Sequence, residues 1–192
     1  SRMPDNAAVS LTLMTLTSWL GVFVYFNNPS RWANRTFAIF SVAVAAWTAG
    51  TWLANYFAES EIALLAARVA FPMAALSVYS LLIFFHVFPH APSFPHSKVV
   101  IAYGVLAATL AIIPTTPWIV TGHTMTDKGL KVEYGPLYPV FALYILSCVG
   151  YALWIIICKI RTAQGVESLQ LKYLFAGLIV PGVLATVTNL LI

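Results

Sequence analysis

The chain has 192 residues, 60% of them hydrophobic and only 8% charged, whereas a soluble domain runs near 45–50% apolar and about 25% charged. Ten Lys+Arg and six Asp+Glu cannot cover the surface of a water-soluble globule of this length. The mean hydropathy of +0.86 agrees, so a soluble enzyme, a disordered tail and a fibrous protein are all excluded. The formal net charge of +4 is no nucleic-acid signal, because in a membrane protein the useful quantity is where the positive charges sit.

A membrane-spanning helix needs roughly 20 mostly apolar residues at about 1.5 Å each. Six stretches meet or approach that length, which predicts an all-α integral membrane protein, an antiparallel bundle of six transmembrane helices in one domain. The first covers residues 7–26 and stops at the turn cluster Asn27-Asn28-Pro29-Ser30. Ser1 to Asn6 is polar and the run after it is too long for a removable signal peptide. The second covers residues 36–57, with Asn55 its strongly polar interruption. The third covers residues 62–88 and ends at an elbow, Pro89 to Ser97, where Pro89, Pro92 and Pro95 forbid helix. A short fourth span, residues 98–113, closes at Pro114.

Between Pro114 and Pro136 the pattern changes. Trp118, Val120, His123 and Met125 precede Asp127-Lys128-Gly129, and Leu130, Val132 and Tyr134 alternate after it. Alternation around a tight Asp/Gly turn predicts a small β-ribbon over residues 118–134, covering one mouth of the bundle. The fifth span covers residues 137–160, a polar linker follows from Arg161 to Gln170, and the sixth covers residues 171–192. Continuous apolar runs exclude a membrane β-barrel, whose strands alternate. Cys148 and Cys158 lie ten residues apart on one helix, roughly 15 Å and too far for a disulfide.

Orientation follows from the loops. Arg31, Arg35, Lys98, Lys159, Arg161 and Lys172 fall on one side, and Arg2, Arg68, Lys128 and Lys131 on the other. The six-to-four split places the first set in the cytoplasm, and the ribbon and the N-terminus outside. An even number of spans puts Ile192 outside too.

Arg68 is the ionisable residue set deepest in a span, about 10 Å along the third helix. A charge at helix centre costs roughly 2.5–3.5 kcal/mol on insertion scales. It either snorkels to the headgroups or serves a ligand or coupling role, with Glu59, Glu61 and Glu133 as partners on its side. Asn55 and Asn189 are further candidates for ligand contact or coupling, since a polar group in a dry span seeks a hydrogen-bond partner. His123 in the ribbon is a candidate pH-responsive group.

His86, His90 and His96 gather at the elbow, but Pro89 separates the first two and no Cys or carboxylate joins them, so no metal site is assigned. Ala66, Ala70 and Ala74 recur every four residues around Pro72, a spacing that allows close helix packing and a kink. Most of the six tryptophans are expected near span ends as interfacial anchors. Phosphate-binding loops, nucleophile elbows and zinc-protease motifs are absent, and the acids are too peripheral for a proton relay.

Several short motifs resemble a known family. They are Asn27-Asn28-Pro29-Ser30-Arg31 with Asn34-Arg35-Thr36-Phe37-Ala38-Ile39-Phe40, Arg68 with Pro72, and Phe85-His86-Val87-Phe88-Pro89. Gly135-Pro136-Leu137-Tyr138-Pro139, Gln170-Leu171-Lys172-Tyr173 and Thr188-Asn189-Leu190 complete the set. Together they make the chain similar, from about Ala7 to Ile192, to the N-terminal seven-helix region of bacterial sensor histidine kinases. The resemblance implies a non-catalytic sensory input module in the bacterial inner membrane, followed in the family by a seventh helix and cytoplasmic output domains. Here six spans are expected, so either a seventh helix follows Ile192 or a six-helix relative serves alone. The alternative is an accessory subunit of a respiratory or photosynthetic membrane complex, contacting helices, lipids or pigments. The expected partners are the lipid bilayer, further transmembrane helices (its own seventh or another subunit's) and a second copy of the chain. Nucleic acid is not among them, and no cofactor is specified.

Overall fold

The computed structural model describes residues 4–57, 61–89, 95, 97–113, 117–126 and 129–177, with side chains from residue 8 onward except those of 125, 126, 129 and 130. Among these residues six helices and one β-hairpin follow each other in chain order. They are α1 (Pro4–Asn27), α2 (Trp32–Tyr56), α3 (Glu61–Val87), α4 (Lys98–Ile112), β1 (Val120–Thr126), β2 (Gly129–Tyr134), α5 (Tyr138–Thr162) and α6, described over 165–177. α1, α2, α3 and α5 are long and apolar enough to cross a membrane, and α4 is a shorter apolar helix. Leu16, Trp19, Leu65, Leu143, Leu146 and Trp154 are all exposed, the outward face of a multi-pass protein in contact with lipid.

The helix ends differ from the apolar runs in two places. α2 begins at Trp32 rather than Thr36, because Asn28 reverses the chain within a few residues. Its Oδ1 accepts from the Ser30 hydroxyl (2.6 Å) and the Ser30 backbone N–H (3.2 Å), and its carbonyl accepts from the Asn34 side-chain Nδ2 (3.1 Å). Arg35 donates to the Pro29 carbonyl at 2.6 Å and lies over the Trp32 ring, so polar residues are absorbed into the first turn. The polar stretch Arg161–Gln170 is largely helical: α5 runs to Thr162, Ala163 is extended, and α6 is already helical at 165. Gly165 supplies the positive φ (58°) that makes so short a joint possible. Residues 178–192, most of the sixth predicted span, lie outside the described residues.

α3 is the central helix, packed on α2, α4, α5 and β1, while α1 packs on α2. Ala33 near the start of α2 shares a core with Val87 at the end of α3, and Ala54 near the end of α2 shares one with Ala66, so these helices are antiparallel. Phe141 of α5 joins Ala75 of α3, and Ile156 joins Leu82 and Phe85 further on, so α5 runs parallel to α3.

Small residues set the closest approaches. A Cβ on Gly50 of α2 would sit 3.1 Å from both the Ala66 carbonyl oxygen and the Ala70 Cβ of α3, and one on Gly21 of α1 would sit 2.6 Å from the Ser41 Cβ of α2. The buried hydroxyls of Thr36, Ser77 and Ser80 donate to carbonyls of their own helices, as a dry environment requires. Cys148 and Cys158 are free thiols.

The hairpin is antiparallel, with Met125 opposite Leu130 and His123 opposite Val132. A register shift between Val120 and Gly122 leaves Thr121 as an extra residue, and its hydroxyl donates to the Glu133 carbonyl at 3.0 Å. Ile119 and Val120, fully buried against Ala75, Ala107 and Phe141, seat the ribbon on the bundle. At the base of the hairpin Gly135 is obligatory, because any Cβ there would run into the Trp118 carbonyl.

Candidate functional site

At the ribbon end, α2, α3 and α5 leave a cleft of about 360 Å³. Its floor is one face of α3, where Ala67, Ala70, Ala74 and Ser77 recur at helical spacing and leave room above them. α2 contributes Trp47, Thr51 and Asn55 as one wall, and α5 contributes Tyr138, Phe141 and Ile145 as the other. Val132 and Tyr134 of β2 close the end. The Tyr134 and Tyr138 rings stack with centroids 3.9 Å apart, and Phe71 meets Phe141 edge-on at 5.0 Å, so the aromatic wall is a packed unit. No charged side chain is among the described residues that line it.

The residues singled out from sequence fall around this cleft unevenly. Asn55 lines it, with its amide nitrogen donating to the Thr51 carbonyl at 2.8 Å. Arg68 does not line it. Its guanidinium donates to the Val120 carbonyl from Nη2 (3.1 Å) and Nε (3.4 Å), beside the bulge that interrupts the ladder. Among the described residues its partner is thus a backbone oxygen rather than Glu61 or Glu133. Glu61 and Glu133 are exposed, and Glu59 lies outside the described residues. The Glu133 carboxylate lies over Gly122, where a Cβ would come within 3.1 Å of Oε2. His123 is half-buried and shares a ribbon face with Val132, its cross-strand partner. Asn189 lies outside the described residues, as do His90 and His96.

Pro72 has no amide hydrogen to give the Arg68 carbonyl one turn back. Two interhelical bonds lie just beyond it. The Tyr144 hydroxyl donates to the Ala75 carbonyl and the Cys148 thiol to the Val78 carbonyl, both at 3.4 Å. Among the described residues no three His, Cys, Asp or Glu side chains gather as a metal site. His86 Nδ1 lies 3.1 Å from the Leu82 carbonyl of its own helix.

Two features were missed in the sequence. Trp47 sits well inside α2 and lines the cleft, away from the span ends where most of the tryptophans are expected. Lys159, counted as a loop charge, is half-buried and donates from Nζ to the carbonyls of His86 (2.7 Å) and Phe88 at the end of α3. The small residues on one face of α3 were the available signal for the cleft.

A family model described as the N-terminal 7TM region of histidine kinase matches residues 9–191. No curated protein and no solved structure matches the chain.

Proposed function

The chain belongs to the family of N-terminal 7TM regions of histidine kinases, and from that premise we propose that it is a sensory input module whose ligand site is the cleft beneath the ribbon. The observation that carries this reading is that one cavity touches three helices at once, α2, α3 and α5. An occupant that fits one packing of those helices better than another shifts the balance between them, and without such a difference in affinity nothing is transmitted. Pro72 gives α3 a place to bend within the cleft floor, between Ala70 and Ala74.

In this reading the module makes and breaks no bond, and chemistry belongs to an output domain. The six-to-four split of Lys and Arg supports a ribbon and N-terminus outside the bacterial inner membrane and six crossings. Arg68 then acts as the tether that seats the ribbon over the cleft.

The test uses the complete gene product in lipid nanodiscs, with autophosphorylation from ATP as readout. Arg68→Leu and the cleft-filling Ala74→Phe are expected to change the basal rate at least threefold in either direction. A gene product with no output domain, or one whose rate ignores both substitutions, overturns the reading.

A further inference from the structure

We propose that the cleft takes an uncharged, elongated amphiphile, apolar along most of its length and carrying one neutral hydrogen-bonding end that rests beside Asn55. The proposal deepens the sensory reading and rests on it. Three observations lead to it.

The first is charge. No ionised side chain is among the described residues lining the cleft: Arg68, next to Ala67, is held on the Val120 carbonyl, and Lys131 and Glu133, which flank Val132, are exposed and alternate with it on β2. A carboxylate or ammonium entering here would lose its water and gain no counter-ion, which a neutral molecule avoids.

The second is shape. The lining runs along α3 from Ala67 to Val78, about 16 Å of helix at 1.5 Å per residue, and along α2 from Trp47 to Asn55, about 12 Å. A volume near 360 Å³ drawn out over that length is a slot, at the small end of the range for ligand pockets. The slot exists because α3 presents Ala67, Ala70, Ala74 and Ser77 where larger side chains would fill it.

The third is the distribution of polar groups. Thr51, Asn55, Tyr134 and Tyr138 gather at the ribbon end, and Val78, Phe141 and Ile145 line the rest. Ser77 lies among the apolar group, but its hydroxyl already donates to the Ala74 carbonyl at 2.8 Å. Asn55 differs. Its amide nitrogen donates to the Thr51 carbonyl of its own helix, its side chain is exposed at the mouth of the cleft, and among the described residues its Oδ1 accepts no hydrogen bond. A hydroxyl or amide on the ligand would donate to that oxygen, with the ligand's tail laid along the alanines of α3.

The probe is a diazirine-bearing analogue of octanol, irradiated with the complete protein in nanodiscs, its adducts mapped by mass spectrometry. The expected result is saturable labelling of the α2 and α3 peptides around Thr51 and Ala74. 1-Decanol should reduce it at least fivefold, while sodium decanoate and decyltrimethylammonium at equal concentration should not. Ala74→Phe should abolish it with the protein still monodisperse. If that variant does not fold, Ser77→Leu, which shortens the slot from its far end, should weaken labelling at least fivefold. Labelling that never saturates, that matches the level on the lipid-facing surface of α1, or that decanoate suppresses as well as decanol overturns the proposal. Autophosphorylation in the same samples separates the two claims. Binding without any effect of decanol or Ala74→Phe on the kinase rate sinks the sensory reading and keeps the site. A rate that responds to Arg68→Leu and Ala74→Phe, with no saturable labelling, keeps the sensory reading and sinks the site.

Discussion

Lys159 on α5 donates from Nζ to the carbonyl of His86, 2.7 Å away in the last turn of α3. The carbonyls at a helix C-terminus have no partner within their own helix and carry the negative end of its dipole, so a cation there satisfies both needs. At the opposite end of α3, Arg68 donates to Val120 and holds the ribbon. The central helix is therefore tied at one end to α5 and at the other to the structure that closes the cleft. Both ties use a cation and a backbone oxygen.

Removing the α5 tie should loosen the bundle. Lys159→Met keeps the apolar stem but removes the donors, leaving the His86 and Phe88 carbonyls without this partner. Hydrogen bonds from charged groups contribute about 1.5–3 kcal/mol, and the loss should lie in that range. Unfolding in lipid micelles by added SDS measures it, with Lys159→Arg expected to recover at least half. A Lys159→Met protein that unfolds at the parent's SDS fraction would show that the tie contributes nothing.

The ribbon tie should be visible without any effect on the core. Arg68→Leu leaves the Val120 carbonyl without its donor and frees the end of the hairpin. Amide exchange over residues 120–126 and 129–134 should then speed up about tenfold, which corresponds to about 1.4 kcal/mol. Arg68→Lys should fall between, because lysine keeps the charge but not the planar fork that reaches Val120 from two nitrogens. Equal protection in all three proteins would mean that the buried Ile119 and Val120 alone seat the ribbon.

The hairpin was legible because apolar residues recur around a tight Asp/Gly turn, although Trp118 and Tyr134 of that pattern are exposed and the adjacent Ile119 and Val120 are both buried. The helices were legible because apolar runs of span length report on contact with lipid. Arg68 was legible for the same reason, as a cation inside such a run. Its partner was not, since a backbone carbonyl has no signature in the residue letters, and carboxylates were expected instead. Lys159 was hidden for the same cause: the oxygens it caps belong to His86 and Phe88 whatever their side chains. The cleft was half legible. Ala66, Ala70 and Ala74 read as close packing, and that holds for Ala66 and Ala70 against Gly50, while Ala74 faces open space. Which small residues meet a neighbour depends on what stands opposite, and spacing within one helix does not carry that.

The α2–α3 contact can be tested at Gly50. A methyl there already lies 3.1 Å from the Ala66 carbonyl oxygen and the Ala70 Cβ, so Gly50→Leu must push the helices apart. Overpacking of this kind costs about 1–3 kcal/mol. Gly50→Ala should be milder, because the better helix propensity of alanine, up to about 1 kcal/mol, offsets part of the strain. Thermal unfolding in detergent should rank parent above Ala above Leu. A Leu variant as stable as the parent would mean that α2 and α3 are not in such close contact.

The remaining prediction concerns topology and turns on α4. Its 15 helical residues extend about 22 Å, short of the roughly 30 Å hydrocarbon core, so a crossing here needs flanking residues or a locally thinned bilayer. Lys98 opens α4 and Lys131 lies beyond it on β2, and both are exposed. Single cysteines at these two positions, in a background with Cys148 and Cys158 replaced by serine, report the two ends of the segment. With six crossings and the ribbon outside, Lys131→Cys should react with a membrane-impermeant maleimide in intact cells. Lys98→Cys should react only after permeabilisation. Reaction of both from outside would make α4 a re-entrant helix and move the count of crossings to an odd number. Reaction of Lys98→Cys alone would invert the whole molecule and put the ribbon and its cleft on the cytoplasmic side, where only a ligand that crosses the bilayer, as a neutral amphiphile does, could reach them from outside.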